Sequence, residues 1–146
     1  MDPIPLAEND AWNNATGNSR GKSVLIRYRP NLEKFLGDAR YPKLLTIAWQ
    51  YDELNSSGMP SSEQSDEMRI FEDLVQSQLD QDGTAILAFV HTRSGIRRWN
   101  YYISDTDAVG ARINEALSDR PGLPIELSVE DDAEWSEMRL LLDQCH

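Results

Sequence analysis

His91, Arg98 and Tyr102 fall in the stretch "HTRSGIRRWNYY", which brings an imidazole, a guanidinium and a phenol close together along the chain. Such a set suits recognition of an anionic ligand, with Arg98 pairing the negative group, or proton transfer by His91. Nucleophilic catalysis is poorly supplied. It needs a thiol or hydroxyl held beside a base, and the one cysteine, Cys145, is followed only by His146 at the chain end, where fraying spoils such geometry. We therefore assign no catalytic residue.

Carboxylates offer two further chemistries. Glu72 and Asp73 form an adjacent acidic pair, and a second catalytic group to work with them is missing. One of them reaching an arginine of "RRW" (Arg97, Arg98) as a structural ion pair is the simpler expectation. "SDTD" at Ser104 to Asp107 and "EDDAE" at Glu130 to Glu134 could hold a hard cation. Neither has EF-hand spacing and both stand where a helix should begin, so capping accounts for them. Two histidines and one cysteine do not make up the usual zinc sets, and the scattered glycines form no phosphate-cradling loop. No metal and no cofactor is expected.

The elements that must position these groups are legible from periodicity. Ser23 to Arg29 alternates as a strand, and Trp12 is placed in a short partner strand across a hairpin. "NNATGNSRGK" and "YDELNSSGMPSSEQ" are expected as loops. "YPKLLTIAWQY" is a second strand. Ser61 and Gln64 fit a capping box, after which Met68, Phe71, Leu74, Val75 and Leu79 recur at helical spacing until Asp82-Gly83. Thr84 to Thr92 is a β-prone run, and a two-residue turn at Ser94-Gly95 would return it with Val90 opposite Trp99, Ala88 opposite Tyr101 and Ile86 opposite Ile103. A helix from Ser104-Asp105 stops at Pro121-Gly122, "PIELSVE" alternates Ile125, Leu127 and Val129 inward, and "DDAEWSEMRLLLDQCH" closes as a helix.

From Leu44 to Val129 the order strand, helix, strand, strand, helix, strand predicts an α+β fold. Its form is a ferredoxin-like split βαβ two-layer sandwich with an antiparallel sheet, plus an additional N-terminal strand or hairpin and a C-terminal helix. One domain over 1–146 is expected, residues 1–21 being partly irregular. Phe89, His91, Arg98, Asn100 and Tyr102 then share one sheet face. Either that face is a ligand platform, or the last helix covers it with Trp135 and Met138 meeting Phe89 and Tyr102; the apolar stripe of that helix favours covering.

The quoted residues resemble a known family. Tyr41-Pro42, Trp49 and Tyr51, "GMP" at Gly58 to Pro60, "FEDL" at Phe71 to Leu74, Thr92, "RRWNYY" at Arg97 to Tyr102, Asn114, "PIEL" at Pro124 to Leu127 and Trp135 follow the order found in DUF695 domains. The resemblance implies a small bacterial cytoplasmic domain with no established activity. Some members are joined to a domain resembling the acidic regulator of ribonuclease E, which hints at regulation through protein contacts.

A net charge of -11 repels polyanions and argues against nucleic acid, as does the missing RNA-recognition signature. The acidic, prolyl N-terminus lacks a secretory signal, no apolar run suggests a membrane span, and one cysteine implies no intrachain disulfide. The cytoplasm is the default location. The leading expectation is a non-enzymatic acidic interaction domain for a basic protein partner, such as an inhibitor, immunity factor or regulator of a nuclease or toxin. Its candidate contacts are Glu63, Asp66 and Glu67 at the first helix start, and Glu130, Asp131, Asp132 and Glu134 near the last. The alternative is a small-ligand-binding domain or cryptic enzyme using the face around His91, Arg98 and Tyr102.

Overall fold

Strand-length alternation and two amphipathic stretches do become a sheet with helices. The computed structural model describes residues 13–19, 22–29, 36–51, 60–79, 85–93, 95–118, 123 and 125–144. They form β1 (Asn13–Ser19), β2 (Lys22–Tyr28), β3 (Lys43–Gln50), α1 (Ser62–Leu79), β4 (Ala85–Arg93), β5 (Ile96–Ile103), α2 (Thr106–Ala116), β6 (Ile125–Asp131) and α3 (Ser136–Gln144). One antiparallel sheet runs β1-β2-β4-β5-β3-β6. The fold is α+β. No helix among the described residues is long and apolar enough to cross a membrane. Trp12, Gly58-Met59, Ser94, Pro121-Gly122, Cys145 and His146 lie outside the described residues.

The helix starts follow their capping chemistry. Ser61 N donates to Gln64 Oε1 (2.8 Å) and Gln64 N to Ser61 Oγ (3.1 Å), the reciprocal pair of a capping box. Asp105 accepts from the backbone of Asp107 (2.9 Å) and Ala108 (3.5 Å) at the start of α2. Asp132 accepts from Ser136 N (2.7 Å) and Glu137 N (3.2 Å) at the start of α3. These acids serve backbone N–H groups that the helices leave open.

Two cores lie on opposite faces of the sheet. On the first, Met68, Phe71, Val75 and Leu79 of α1 and Val109 and Ile113 of α2 meet Leu45, Ile47 and Trp49 of β3 and Trp99, Tyr101 and Ile103 of β5. Phe71 sits between two indoles, 5.3 Å from the Trp49 ring and 4.8 Å from that of Trp99, at edge and tilted angles that aromatic quadrupoles favour. On the second face, α3 brings Trp135, Met138, Leu141 and Leu142 onto Leu44, Tyr102, Ile86 and Tyr28.

Three departures from simple periodicity shape these faces. Leu87 pairs Tyr101 and Phe89 pairs Asn100, so Ala88 is an extra residue in a bulge. Val90 does lie opposite Trp99, but Ile86 faces Tyr102 rather than Ile103, and Ala88 turns to the α3 side. Arg29 secures the bulge: its N–H donates to Ala88 O (3.2 Å) and its Nη1 to Leu87 O (2.9 Å). Secondly, "NNATGNS", expected as loop, is strand β1, held by backbone pairing with β2. Polar residues suit a strand at a sheet edge. Thirdly, Leu127 and Val129 are 43% and 40% exposed, because β6 is the opposite edge and α2 only partly overlies it.

Trp135 is fully buried and held from several sides. Its ring stacks on Tyr102 (centroids 4.0 Å, 3° between planes) and its Nε1 donates to Tyr41 O (2.9 Å). Its backbone occupies the left-handed region (φ 58°), uncommon for a bulky side chain. The Tyr102 hydroxyl donates to Asp132 Oδ2 (2.8 Å) and accepts from Met138 N (3.2 Å). Removing that hydroxyl in Tyr102→Phe keeps the stack but orphans the buried Met138 N–H and takes one donor from Asp132 Oδ2, which keeps Glu137 N, so about 1–3 kcal/mol of stability should be lost. A reduced urea midpoint with unchanged slope is the expected observation.

Candidate functional site

The two faces of β5 meet different fates. Tyr102 is fully buried under α3, so the helix does cover part of the face that also carries His91 and Arg98. It does not cover all of it. Beyond the helix, a groove of about 540 Å³ runs over the sheet, with His91, Arg98 and Asn100 on its floor and Glu130 and Glu137 along its rim.

Sheet register builds the floor in rows. His91 of β4 lies directly across from Arg98 of β5, and Asn100, Thr46 and Ser128 form the next row across β5, β3 and β6. Thr46 Oγ1 donates to Asn100 Oδ1 (2.9 Å), and Asn100 Nδ2 points to the carbonyls of Arg98 (3.3 Å) and Phe89 (3.4 Å). The amide is thereby fixed. The bulge at Ala88 matters here, since it brings Phe89 and His91 to this face while Val90 stays in the first core.

Burial lowers the His91 pKa from its ordinary value, and the positive charges of Arg93 and Arg98 lower it further. A neutral imidazole beside a guanidinium can offer one donor and one acceptor to a ligand. Burial raises the Tyr102 pKa far above the usual phenol value, and its hydrogen bond to Asp132 adds to this. Tyr102 is therefore a structural donor, and it drops out of the ligand set proposed with His91 and Arg98.

The acidic candidates separate into two places. Glu63, Asp66 and Glu67 are exposed on the first turns of α1, with Asp66 3.7 Å from Arg69. Glu130, Asp131 and Glu134 are exposed around the end of β6, Asp131 lying 3.9 Å from Lys43. Ser65 on α1 shares a cleft with Arg97, which pairs with Trp49, whereas Asp131 pairs with Lys43 at the other end of β3. Six residues of strand separate those positions, ~20 Å, so the clusters do not merge. Asp132 stands apart as buried and committed to α3 and Tyr102.

Glu72 takes the structural role expected of the acidic pair, with a different arginine. Its Oε1 accepts from Arg27 of β2 and from Trp99 Nε1 (2.7 Å). Arg97 of "RRW" lies beside it, its Nε donating to Thr92 Oγ1 (2.8 Å). Asp73 is exposed. Periodicity missed Thr46, Ser128 and Glu137 as groove walls, because their meeting depends on β3 lying between β5 and β6.

The model of the family described as "Family of unknown function (DUF695)" matches residues 10–141. No curated protein and no solved structure matches the chain.

The histidine gives a pH test. Its folded-state pKa lies below 6.5, so the unfolded chain takes up this proton first as pH falls. Stability should decline from about pH 6.5 downward until the folded imidazole titrates too, and His91→Gln should flatten that decline. Proton NMR of the His91 ring, assigned against the variant, checks it; a midpoint at or above the ordinary value contradicts the burial seen here.

Proposed function

We propose that this chain, which belongs to the DUF695 family, is a non-enzymatic interaction domain that receives a basic, extended segment of a partner protein along β6. The observation that carries this reading is the character of that edge. β6 pairs only with β3 among the described residues, leaving alternate backbone N–H and C=O groups for an added strand. Glu126, Glu130 and Asp131 line it together with exposed Leu127 and Val129. A strand alternating lysine or arginine with an apolar residue would set cations against Glu126 and Glu130 and its apolar side against Leu127 and Val129. The net charge of -11 would speed such an encounter.

The order β6-β3-β5-β4, with α1 and α2 over one face, supports a ferredoxin-like split βαβ core. β1 and β2 extend that core at one edge and α3 covers part of its second face. Inhibition, immunity or regulation of a basic nuclease or toxin in the cytoplasm are roles compatible with an acidic edge of this kind. A second reading has its own observation: His91 and Arg98 share an open groove, which supports a small anionic ligand there.

A peptide of about seven residues alternating lysine and valine matches the length of β6 and provides a defined probe. It should bind in a salt-sensitive way, and Glu126→Lys with Glu130→Lys should weaken it roughly tenfold, about 1.4 kcal/mol. Affinity capture from the host at low and high salt extends the test to natural partners. Equal binding by the parent and the charge-reversed protein would remove the edge from consideration.

A further inference from the structure

A second cleft, between α1 and the sheet, reverses the charge of the molecule around it. Arg27 of β2, Arg69 and Ser65 of α1 and Arg97 of β5 surround Glu72 in a space of about 190 Å³. Three guanidiniums and one carboxylate thus line it, in a protein whose net charge is -11. We propose that this cleft is a binding site for a compact oxyanion of the phosphate class.

The geometry of each group supports the assignment. Arg97 has its plane fixed by the bond from Nε to Thr92 Oγ1 (2.8 Å), and its side chain makes no other hydrogen bond among the described residues. The outer nitrogens of its fork remain to meet an anion in the bidentate manner that suits phosphate. Arg27 is anchored through Glu72 with its side chain 33% exposed. Glu72 in turn is fixed by the Trp99 indole, so the carboxylate sets Arg27 beside Arg97 in the cleft. Arg69, 68% exposed and 3.7 Å from the equally exposed Asp66, is free to swing, since such surface pairs contribute little. The half-buried Ser65 adds a hydroxyl at the cleft wall. Burial and the neighbouring Arg27 both press the Arg97 pKa down, with Glu72 opposing them. An arriving anion would relieve that repulsion. The volume is smaller than the roughly 300–1,000 Å³ of sites for larger ligands, which is why the class is a single compact anion or the phosphate end of a larger molecule.

The site lies on the α1 face at the β5 start and is independent of β6. Its test is a titration of isotope-labelled protein with sodium phosphate at constant ionic strength, following the arginine Nε–Hε signals, with phosphoserine as a second arm. Saturable binding is expected. Arg97→Gln should weaken it about tenfold or more, and Arg97→Lys, which keeps charge but loses the fork, severalfold. Arg69→Gln, at an exposed position that folding tolerates, should also weaken it, and Arg139→Gln, exposed on α3 across the sheet, should leave it unchanged. Tighter binding of phosphoserine would place the phosphate on a larger ligand; equal or tighter binding of inorganic phosphate would make the free ion the occupant. A linear response without saturation, or parental titrations in both Arg97→Gln and Arg69→Gln, would overturn the proposal.

Discussion

The stack of Trp135 on Tyr102 decides what the second face of the sheet can be. β5 is central, with Trp99, Tyr101 and Ile103 buried on one side and Tyr102 on the other, so helices on a single face would leave a large aromatic surface wet. α3 covers that need at one end only. Nine helical residues extend ~13 Å, against ~26 Å for the eight residues of β3. Where the indole is pinned, the sheet is apolar: Leu44, Ile86 and Tyr102. Past the helix it turns to Thr46, Asn100, His91 and Arg98, and the groove is the uncovered remainder. The left-handed backbone of Trp135 is the cost of bringing the chain from β6 across this face, and the stack, the Tyr41 hydrogen bond and the Asp132 cap offset it.

Charge is distributed along the same axis. Arg27, Arg69 and Arg97 gather on one face near the start of β5, and Arg93 and Arg98 lie by His91 on the other. Glu130, Asp131 and Glu134 gather by the end of β6 and the start of α3. At physiological salt, screening acts over ~8 Å, so a ligand in the arginine cleft feels those guanidiniums far more than the net charge. A long basic segment approaching from solution instead samples the acidic edge. One molecule can therefore present both signs without contradiction.

Much of this was legible in the sequence because each segment obeyed its own rule. The capping box at Ser61 and Gln64, the stripe from Met68 to Leu79 and the cap at Asp105 are local, and local chemistry is visible without tertiary knowledge. The covering of Tyr102 by Trp135 followed from the apolar stripe of the last helix, which needed a surface. What escaped was set between segments. The bulge at Ala88 leaves no mark in an uninterrupted β-prone run, and its stabilising partner, Arg29, lies far away in the chain. Arg27 finds Glu72 only because β2 is hydrogen-bonded to β4, which places it over α1. Asp132 looks like its acidic neighbours in composition, yet the chain turn buries it. Leu127 and Val129 alternate as a half-buried strand should, and their exposure reflects edge position, which periodicity cannot report.

Among the described residues, the two edges of the sheet handle their unpaired backbone differently. β1, "NNATGNS", lacks large apolar residues and offers an added strand little beyond its backbone. β6 combines apolar Leu127 and Val129 with Glu126, Glu130 and Asp131, an arrangement that also guards against self-association. If two copies met antiparallel about Ser128, Glu126 of each would stand opposite Glu130 of the other, and like charges placed directly across strands are destabilising. The same acids attract a strand bearing lysine or arginine at those positions. On the proposed reading, the acids disfavour pairing of the edge with its own copy and favour a basic strand with one apolar side.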